Sequence, residues 1–222
     1  MVWSDTLGLR EFLREQPRMA VRPAARSGLV LKGQFEFTGQ SAQHGELRDA
    51  FQLAIVIPHG YPRELPVVTE TGGRIPRNGD FHVNPDGSLC LGSPLGLLLK
   101  ASRNPTLSGY VKKCVVPYLF AVSYKLQHGG PMLFGELAHG TPGELQDYVD
   151  LFSLKRPDQA KRALEMLGMK KRRANKLPCP CGCGKRLGKC RFNYRITEFR
   201  KLASRVWFRE QWADHRARDG KV

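Results

Sequence analysis

The sequence contains no apolar run that approaches the roughly 20 residues needed to cross a bilayer. Residues 1–5 show no basic region followed by an apolar segment, so we expect no secretory signal. No internal repeat is present either. With 41% hydrophobic residues among 222, the chain can bury a core of ordinary size. These features predict a cytoplasmic protein that contains one ordinary domain with an appendage and makes no contact with a membrane.

Cysteine is scarce outside one short segment. Four of the six cysteines crowd into residues 179–190, while Cys90 and Cys114 stand alone. Such crowding is typical of a metal knuckle in a reducing compartment, and not of a disulfide framework. Cys114 lies in an apolar stretch, where we expect it to be an ordinary core residue.

Acidic residues become rare towards the end of the chain. Residues 153–222 hold 21 of the 36 Lys and Arg but only 6 of the 20 Asp and Glu, a net charge of +15. Residues 1–152 therefore carry only +1. A nearly neutral domain followed by a basic tail favours nucleic acid or an acidic protein face as a partner. The alternative is a solvated helical face that keeps the protein soluble.

Apolar periodicity and turn residues predict three strands joined by turns, and therefore an antiparallel meander. The predicted strands cover residues 28–38, 50–57 and 65–71, with turn or irregular segments at 40–46 and 72–80. Helices are expected near residues 4–17, over 107–128 with a kink or break at Pro117, and over 142–152, 157–169 and 197–218.

Residues 81–94 combine polar and nucleophilic side chains. His82 and Asn84 are followed by a Pro-Asp-Gly-Ser turn, and Cys90 then lies between two leucines. The turn brings Asn84 back towards the thiol. A cysteine beside an amide donor can accept an acyl group while the amide stabilises the oxyanion. The alternative is a small buried cysteine after a surface turn.

Residues 28 to about 128 resemble a ubiquitin-conjugating enzyme domain of the divergent bacterial kind. The strand 51–57 with its following Tyr61-Pro62 turn, and His82-Val83-Asn84 in place of His-Pro-Asn, carry the resemblance. The run Gly87-Ser88-Leu89-Cys90-Leu91 matches the family's Gly-x-Ile-Cys-Leu. The chain departs from the family in its shorter loop, with Asn84 only six residues before Cys90.

This resemblance implies an enzyme with an α+β fold, a meander flanked by helices. Cys90 would carry the C-terminal acyl group of a ubiquitin-like protein, or of a nucleotide cyclase, as a thioester and pass it to an amine. Asn84 would be the oxyanion donor. His82 would hold the turn or take part in catalysis, and Asp86 would orient the amine or simply form the turn. The resemblance implies a bacterial conjugation or antiphage signalling operon, with or without an activating enzyme.

Residues 178–190 resemble the small zinc motif at the C-terminus of the SecA translocase. Cys179, Cys181 and Cys190 match the first three ligands of that motif, and Arg191 falls on the fourth. Cys183 can supply the missing thiolate and complete a structural zinc site with four sulfurs.

The combined expectation is a conjugating domain over residues 1–152, a helical basic linker over 153–176, and a zinc knuckle with a basic helix over 177–222. The alternative function is a non-catalytic, zinc-containing adaptor. In that case the basic tail would bind nucleic acid or an acidic protein.

Overall fold

The computed structural model describes residues 7–23, 28–133 and 141–219. The chain forms two compact units, Met1–Glu136 and Leu137–Val222. The fold is mixed α+β, and its four-stranded sheet belongs to the first unit. Every helix within the described part of the chain is too short or too polar to cross a membrane.

The first unit consists of a short helix, the sheet, and a group of helices that follow the sheet. Its elements are α1 (Leu9–Glu15), β1 (Met19–Arg22), β2 (Leu29–Ser41), β3 (Gly45–Ile57), β4 (Val67–Glu70), a 3-10 turn (Gly79–Phe81), α2 (Pro94–Arg103), α3 (Leu107–Tyr110), a π turn (Val111–Val115) and α4 (Val116–His128).

The sheet is an antiparallel meander with the order β1-β2-β3-β4, which confirms the predicted strand arrangement. Alternate residues of β2 and β3 are buried, as the period of two requires, so that Leu31 and Phe35 pair with Ile55 and Phe51 on the core face. The predicted turn at 40–46 is shorter than expected, because the strands continue to Ser41 and resume at Gly45.

Strand β1 and helix α2 of the first unit were not predicted. Three of the four residues of β1 are exposed, so this edge strand carries little apolar periodicity. Helix α2 begins at Pro94, and the Ser93 hydroxyl accepts a hydrogen bond from the Gly96 backbone N–H at 3.1 Å. This serine cap followed by proline is a helix-start signal that the sequence does contain.

The predicted helix over 107–128 is present, and it is divided before Pro117. The π turn Val111–Val115 separates α3 from α4. Proline has no backbone N–H to donate, and the wider turn accommodates the interruption. The buried face of α4 packs on the sheet, where a side chain at Gly39 would collide with Phe120.

The second unit is helical. Its elements are α5 (Thr141–Phe152), α6 (Pro157–Gly168), α7 (Lys171–Ala174), a 3-10 turn (Leu187–Lys189), α8 (Phe192–Phe199) and α9 (Arg205–Asp219). Helices α5, α6 and α9 pack on one another around a core that includes Phe152, Leu164, Leu167 and Phe208, each with 0% exposure.

This arrangement differs from the expected division of the chain. Helix α5 belongs to the second unit and not to a domain ending at residue 152, because it packs on α6 and α9. Residues 153–176 are not a linker, since α6 is buried along one face and Ala174 of α7 is fully buried. The prediction of one continuous basic helix over 197–218 is wrong. The chain breaks at 200–204, where the Ser204 hydroxyl caps α9 by accepting from the Trp207 N–H at 3.1 Å.

Candidate functional site

A tight hairpin presents the three residues that were expected to carry chemistry in the first unit. Val83 and Leu89 form an antiparallel bridge. The Cys90 N–H donates to the His82 carbonyl, and the Asn84 N–H donates to the Ser88 carbonyl, both at 2.8 Å. The hairpin therefore places His82 opposite Cys90 and Asn84 opposite Ser88. All three predicted residues lie on one local structure.

The sheet anchors one strand of this hairpin. The Leu89 N–H donates to the Val68 carbonyl at 2.8 Å, and Ser88 forms a bridge with Thr69. Leu89 is 6% exposed and belongs to the core. Side chains alternate along an extended strand, so its neighbours Ser88 and Cys90 point away from the core. Cys90 is accordingly exposed.

Helix α4 holds the segment that enters the hairpin. The Tyr118 hydroxyl donates to the Phe81 carbonyl at 2.7 Å, and the Lys125 ammonium donates to the Asp80 carbonyl at 2.9 Å. Tyr118 and Lys125 are seven residues apart and share one helical face. Both contacts hold residues that directly precede His82 in the chain, so α4 sets the position of the hairpin.

Burial raises the pKa of Tyr118 well above its ordinary value, and the nearby Cys90 thiol and Glu70 carboxylate add to this effect. The phenol therefore stays protonated and continues to donate to the Phe81 carbonyl. Neither Tyr118 nor Lys125 was singled out from the sequence, because about 40 residues separate them from the segment they hold.

His82 occupies the end of the 3-10 turn. Its backbone is left-handed, with φ 52°, and its N–H donates to the Gly79 carbonyl at 2.8 Å. A left-handed conformation is uncommon for a residue with a side chain, so the surrounding contacts must enforce it. His82 thus forms the corner from which the hairpin starts.

A chain of hydrogen bonds orients the Asn84 side chain. The Ser88 N–H and hydroxyl both donate to Asp86 Oδ1, at 2.9 and 2.6 Å, and Asn84 Nδ2 donates to Ser88 Oγ at 3.0 Å. The hydrogen bonds from Ser88 also lower the pKa of Asp86. Asp86 therefore serves the turn, one of the two roles expected for it. Ser88, which the sequence did not single out, fixes the Asn84 amide.

The thiol of Cys114, the remaining cysteine of the first unit, is unreactive because it is buried. Cys114 lies in the π turn with 2% exposure. Burial raises the pKa of its thiol to about 11. It is a core residue, as expected.

In the second unit, the four clustered cysteines converge. The Sγ atoms of Cys179 and Cys181 are 3.2 Å apart, and Cys190 Sγ lies 3.6 Å from both Cys181 Sγ and Cys183 Sγ. All four sulfurs lie within 4.8 Å of one another. A tetrahedral centre with metal–sulfur bonds of about 2.3 Å has sulfur–sulfur edges of about 3.8 Å. The four cysteines can therefore hold a metal ion.

Backbone hydrogen bonds shape the loop that carries these sulfurs. The Cys179 N–H donates to the Lys185 carbonyl at 2.8 Å, and the Phe192 N–H donates to Cys190 Sγ at 3.4 Å. Gly182 and Gly184 are left-handed, with φ of 79° and 74°, so glycine suits both positions. The loop is preorganised around the sulfurs.

The four thiols have different electrostatic surroundings. Burial raises the pKa of both Cys179 and Cys181. The backbone N–H of Lys185 and the Cys181 thiol lower the pKa of Cys183 to about 7. A bound cation would favour the deprotonated form of all four, because thiolates and not thiols are the ligands.

Comparison of the chain with protein-family models, curated proteins and solved structures finds no match. The functional interpretation therefore depends on the residues of the two sites and on their geometry.

Proposed function

We propose that the protein is a ubiquitin-conjugating-like acyl transferase with Cys90 as its nucleophile. The observation that carries the proposal is the exposed Cys90 on a hairpin whose backbone is fixed by β4 and by α4. A nucleophile that must meet two protein substrates in turn has to be exposed and yet held rigidly. The hairpin meets both requirements.

The reaction consists of two acyl transfers. The Cys90 thiolate attacks the activated C-terminal carbonyl of the donor protein, a C–S bond forms, and the activating group leaves. An amine then attacks the thioester, a C–N bond forms, the C–S bond breaks, and the amine proton passes to solvent while the thiolate is regenerated. Each attack passes through an oxyanion that a nearby donor can stabilise.

Asn84 is the proposed donor to this oxyanion. One hydrogen of its amide is bound to Ser88 Oγ. Because the Ser88 hydroxyl proton is donated to Asp86, the Ser88 oxygen can only accept, and the Asn84 nitrogen must face it. The second amide hydrogen is then available in a fixed direction. His82 contributes the corner of the hairpin through its backbone.

The test uses intact-mass analysis of tagged protein recovered from cells. The parent should carry an adduct that thiol reductants release, Cys90→Ser a reductant-resistant oxyester, and Cys90→Ala no adduct. Asn84→Ala should still form the thioester but transfer it to an amine about a hundredfold more slowly. Asn104→Ala, which removes another exposed amide of this unit, is the matched control.

Two results would count against the mechanism. One is an adduct of unchanged abundance on the Cys90→Ala protein. The other is an Asn84→Ala protein that cannot be charged at all, because charging depends on the thiol. The Asn104→Ala control should charge and transfer like the parent.

For the second unit, the proposed ligand of the four cysteines is one structural Zn²⁺. Sulfur ligands suit zinc, and four thiolates leave no open position for catalysis. About one zinc per chain is expected by elemental analysis. Cys183→Ser should lose zinc to a competing chelator faster than the parent, while Cys90→Ser should not. Equal retention in the Cys183→Ser protein would contradict the ligand set.

The proposal implies a cytoplasmic setting and a donor that is a ubiquitin-like protein or the C-terminus of a nucleotide cyclase. A bacterial conjugation or antiphage signalling operon would supply it. A neighbouring gene for a cyclase, an activating enzyme or a deconjugating protease would support this setting.

A further inference from the structure

The second unit contains a strongly basic segment without compensating acids. Between Met166 and Thr197 there are ten Lys and Arg and no Asp or Glu. All ten are exposed, and we call them the basic surface: Lys170, Lys171, Arg172, Arg173, Lys176, Lys185, Arg186, Lys189, Arg191 and Arg195. Within the described ranges, the ion pairs involve other residues. The charge of the basic surface is therefore available to a partner.

The cysteine loop brings the two halves of the basic surface together. The Leu187 N–H donates to the Leu177 carbonyl at 2.9 Å, and the Gly188 N–H donates to the Asn175 carbonyl at 3.1 Å. Pro178 and Arg186 form an antiparallel bridge. Residues 175–178 and 186–188 are thus adjacent in space, so Lys176 and Arg186 lie in the same region of the unit.

Part of the basic surface is concave. An open depression of about 450 Å³ is lined by Lys170, Arg172, Arg173 and Lys176. A lining of four cations favours a polyanion, whose phosphates each need a nearby positive charge.

An exposed aromatic side chain distinguishes among polyanions. Tyr194 of α8 is 76% exposed. Tyr194 and Arg195 lie three and four residues after Arg191, so all three share one side of the helix surface. Unpaired bases stack on such aromatic and guanidinium planes, whereas a run of Asp and Glu offers no ring to stack. Bases in a duplex are already stacked on each other.

We propose that the basic surface binds single-stranded nucleic acid. Phosphates occupy the concavity lined by the four cations, and an unpaired base stacks on Tyr194. This binding site is separate in the chain from Cys90, so the inference does not depend on the acyl-transfer chemistry.

The test measures fluorescence anisotropy of the full chain with a labelled 20-nucleotide oligothymidylate at several salt concentrations. Four phosphate contacts predict a slope of about −3 for log affinity against log salt, or about a 50-fold loss between 50 and 200 mM. Arg172→Glu with Arg173→Glu should weaken binding at least tenfold and make the slope shallower by about 1.4. Lys32→Glu with Lys113→Glu is the matched control, since both residues are exposed in the first unit and the charge change is equal.

A second variant tests the stacking contact. Tyr194→Ala should weaken oligothymidylate binding about tenfold without changing the salt slope, and Tyr194→Phe should behave like the parent. A hairpin duplex of equal charge should be insensitive to both. Circular dichroism should show the parent's fold in every variant.

Three results would overturn the inference. The first is an equal loss of affinity in the Arg172/Arg173 variant and in the Lys32/Lys113 control. The second is a polyglutamate peptide of equal charge that competes as well as the oligonucleotide, which would assign the surface to an acidic protein. The third is unchanged oligothymidylate binding after Tyr194→Ala.

Discussion

Glu70 offers a sharp test of what supports the candidate active site. Its side chain is buried, with 5% exposure, and its carboxylate accepts three backbone N–H bonds. Gly72 donates to Oε1 at 2.7 Å, while Gly73 and Arg74 donate to Oε2 at 2.9 and 3.1 Å. Glu70 ends β4, the strand that also binds Leu89 of the hairpin. This carboxylate therefore closes the loop that follows β4, the strand that supports the hairpin.

Replacing Glu70 with Gln keeps the shape but removes one acceptor oxygen. The new NH₂ group must face at least one backbone N–H, which then stays buried without a partner. A hydrogen bond to a charged acceptor contributes about 1.5–3 kcal/mol, and an unpaired buried donor costs about 1–3 kcal/mol. We expect Glu70→Gln to lower the free energy of unfolding of the first unit by about 3 kcal/mol.

Hydrogen exchange of the intact protein can measure this change for the first unit alone. Slowly exchanging amides of β3, such as Leu53 and Ile55, report its global opening. Glu46→Gln is the control with the same charge change, because Glu46 is exposed and pairs with Arg48 at the surface. Such a pair contributes less than about 1 kcal/mol. Equal effects of the two substitutions, or a loss below about 1 kcal/mol for Glu70→Gln, would refute the reasoning.

Three further outcomes follow from the structure. Burial opposes the charge of Asp49, but hydrogen bonds from Arg74 and Ser123 outweigh it and lower its pKa. The contribution of Asp49 to the stability of the first unit is present above about pH 4 and lost as the pH falls below that value. Asp49→Asn should therefore flatten the acid dependence of β3 exchange between about pH 4 and 2. An unchanged curve would show that this carboxylate does not stabilise the first unit. A chain that ends after residue 136 should keep a folded first unit by circular dichroism. A chain that ends after residue 169 should expose the α6 face that packs on α9, and this face should bind a hydrophobic dye. The reverse result would contradict the division into units. A zinc chelator should speed exchange at Leu187 and not at β3, and equal acceleration would argue against a local metal centre.

Local signals in the sequence predicted the elements that carry strong periodicity. The alternating residues of β2 and β3 and the long apolar segment around Pro117 were recognisable, since each pattern is repeated several times. β1 was missed because an exposed edge strand has no apolar face to display. The break between α8 and α9 has one local signal, the Ser204 cap, and this signal is easily missed in an otherwise continuous helical pattern.

The two sites differ in how far sequence could describe them. The cysteine knuckle was predictable because all its sulfurs come from one short segment, and the four do converge. The hairpin of Cys90 was predictable as a turn. Its supports were not, because Tyr118 and Lys125 reach it across the fold from α4. The role of Ser88 depends on a hydroxyl orientation that no spacing rule encodes.

The order of the strands also bears on how the first unit is made. Each strand pairs with its neighbour in the chain, so the sheet needs only local contacts and can form while the polypeptide is still being synthesised. Its apolar face, which includes Phe35 and Leu53, must then wait for α4 to be completed at His128. More than 50 residues separate the end of β4 from that point. During translation, this uncovered face is where a nascent chain would first need protection by a chaperone.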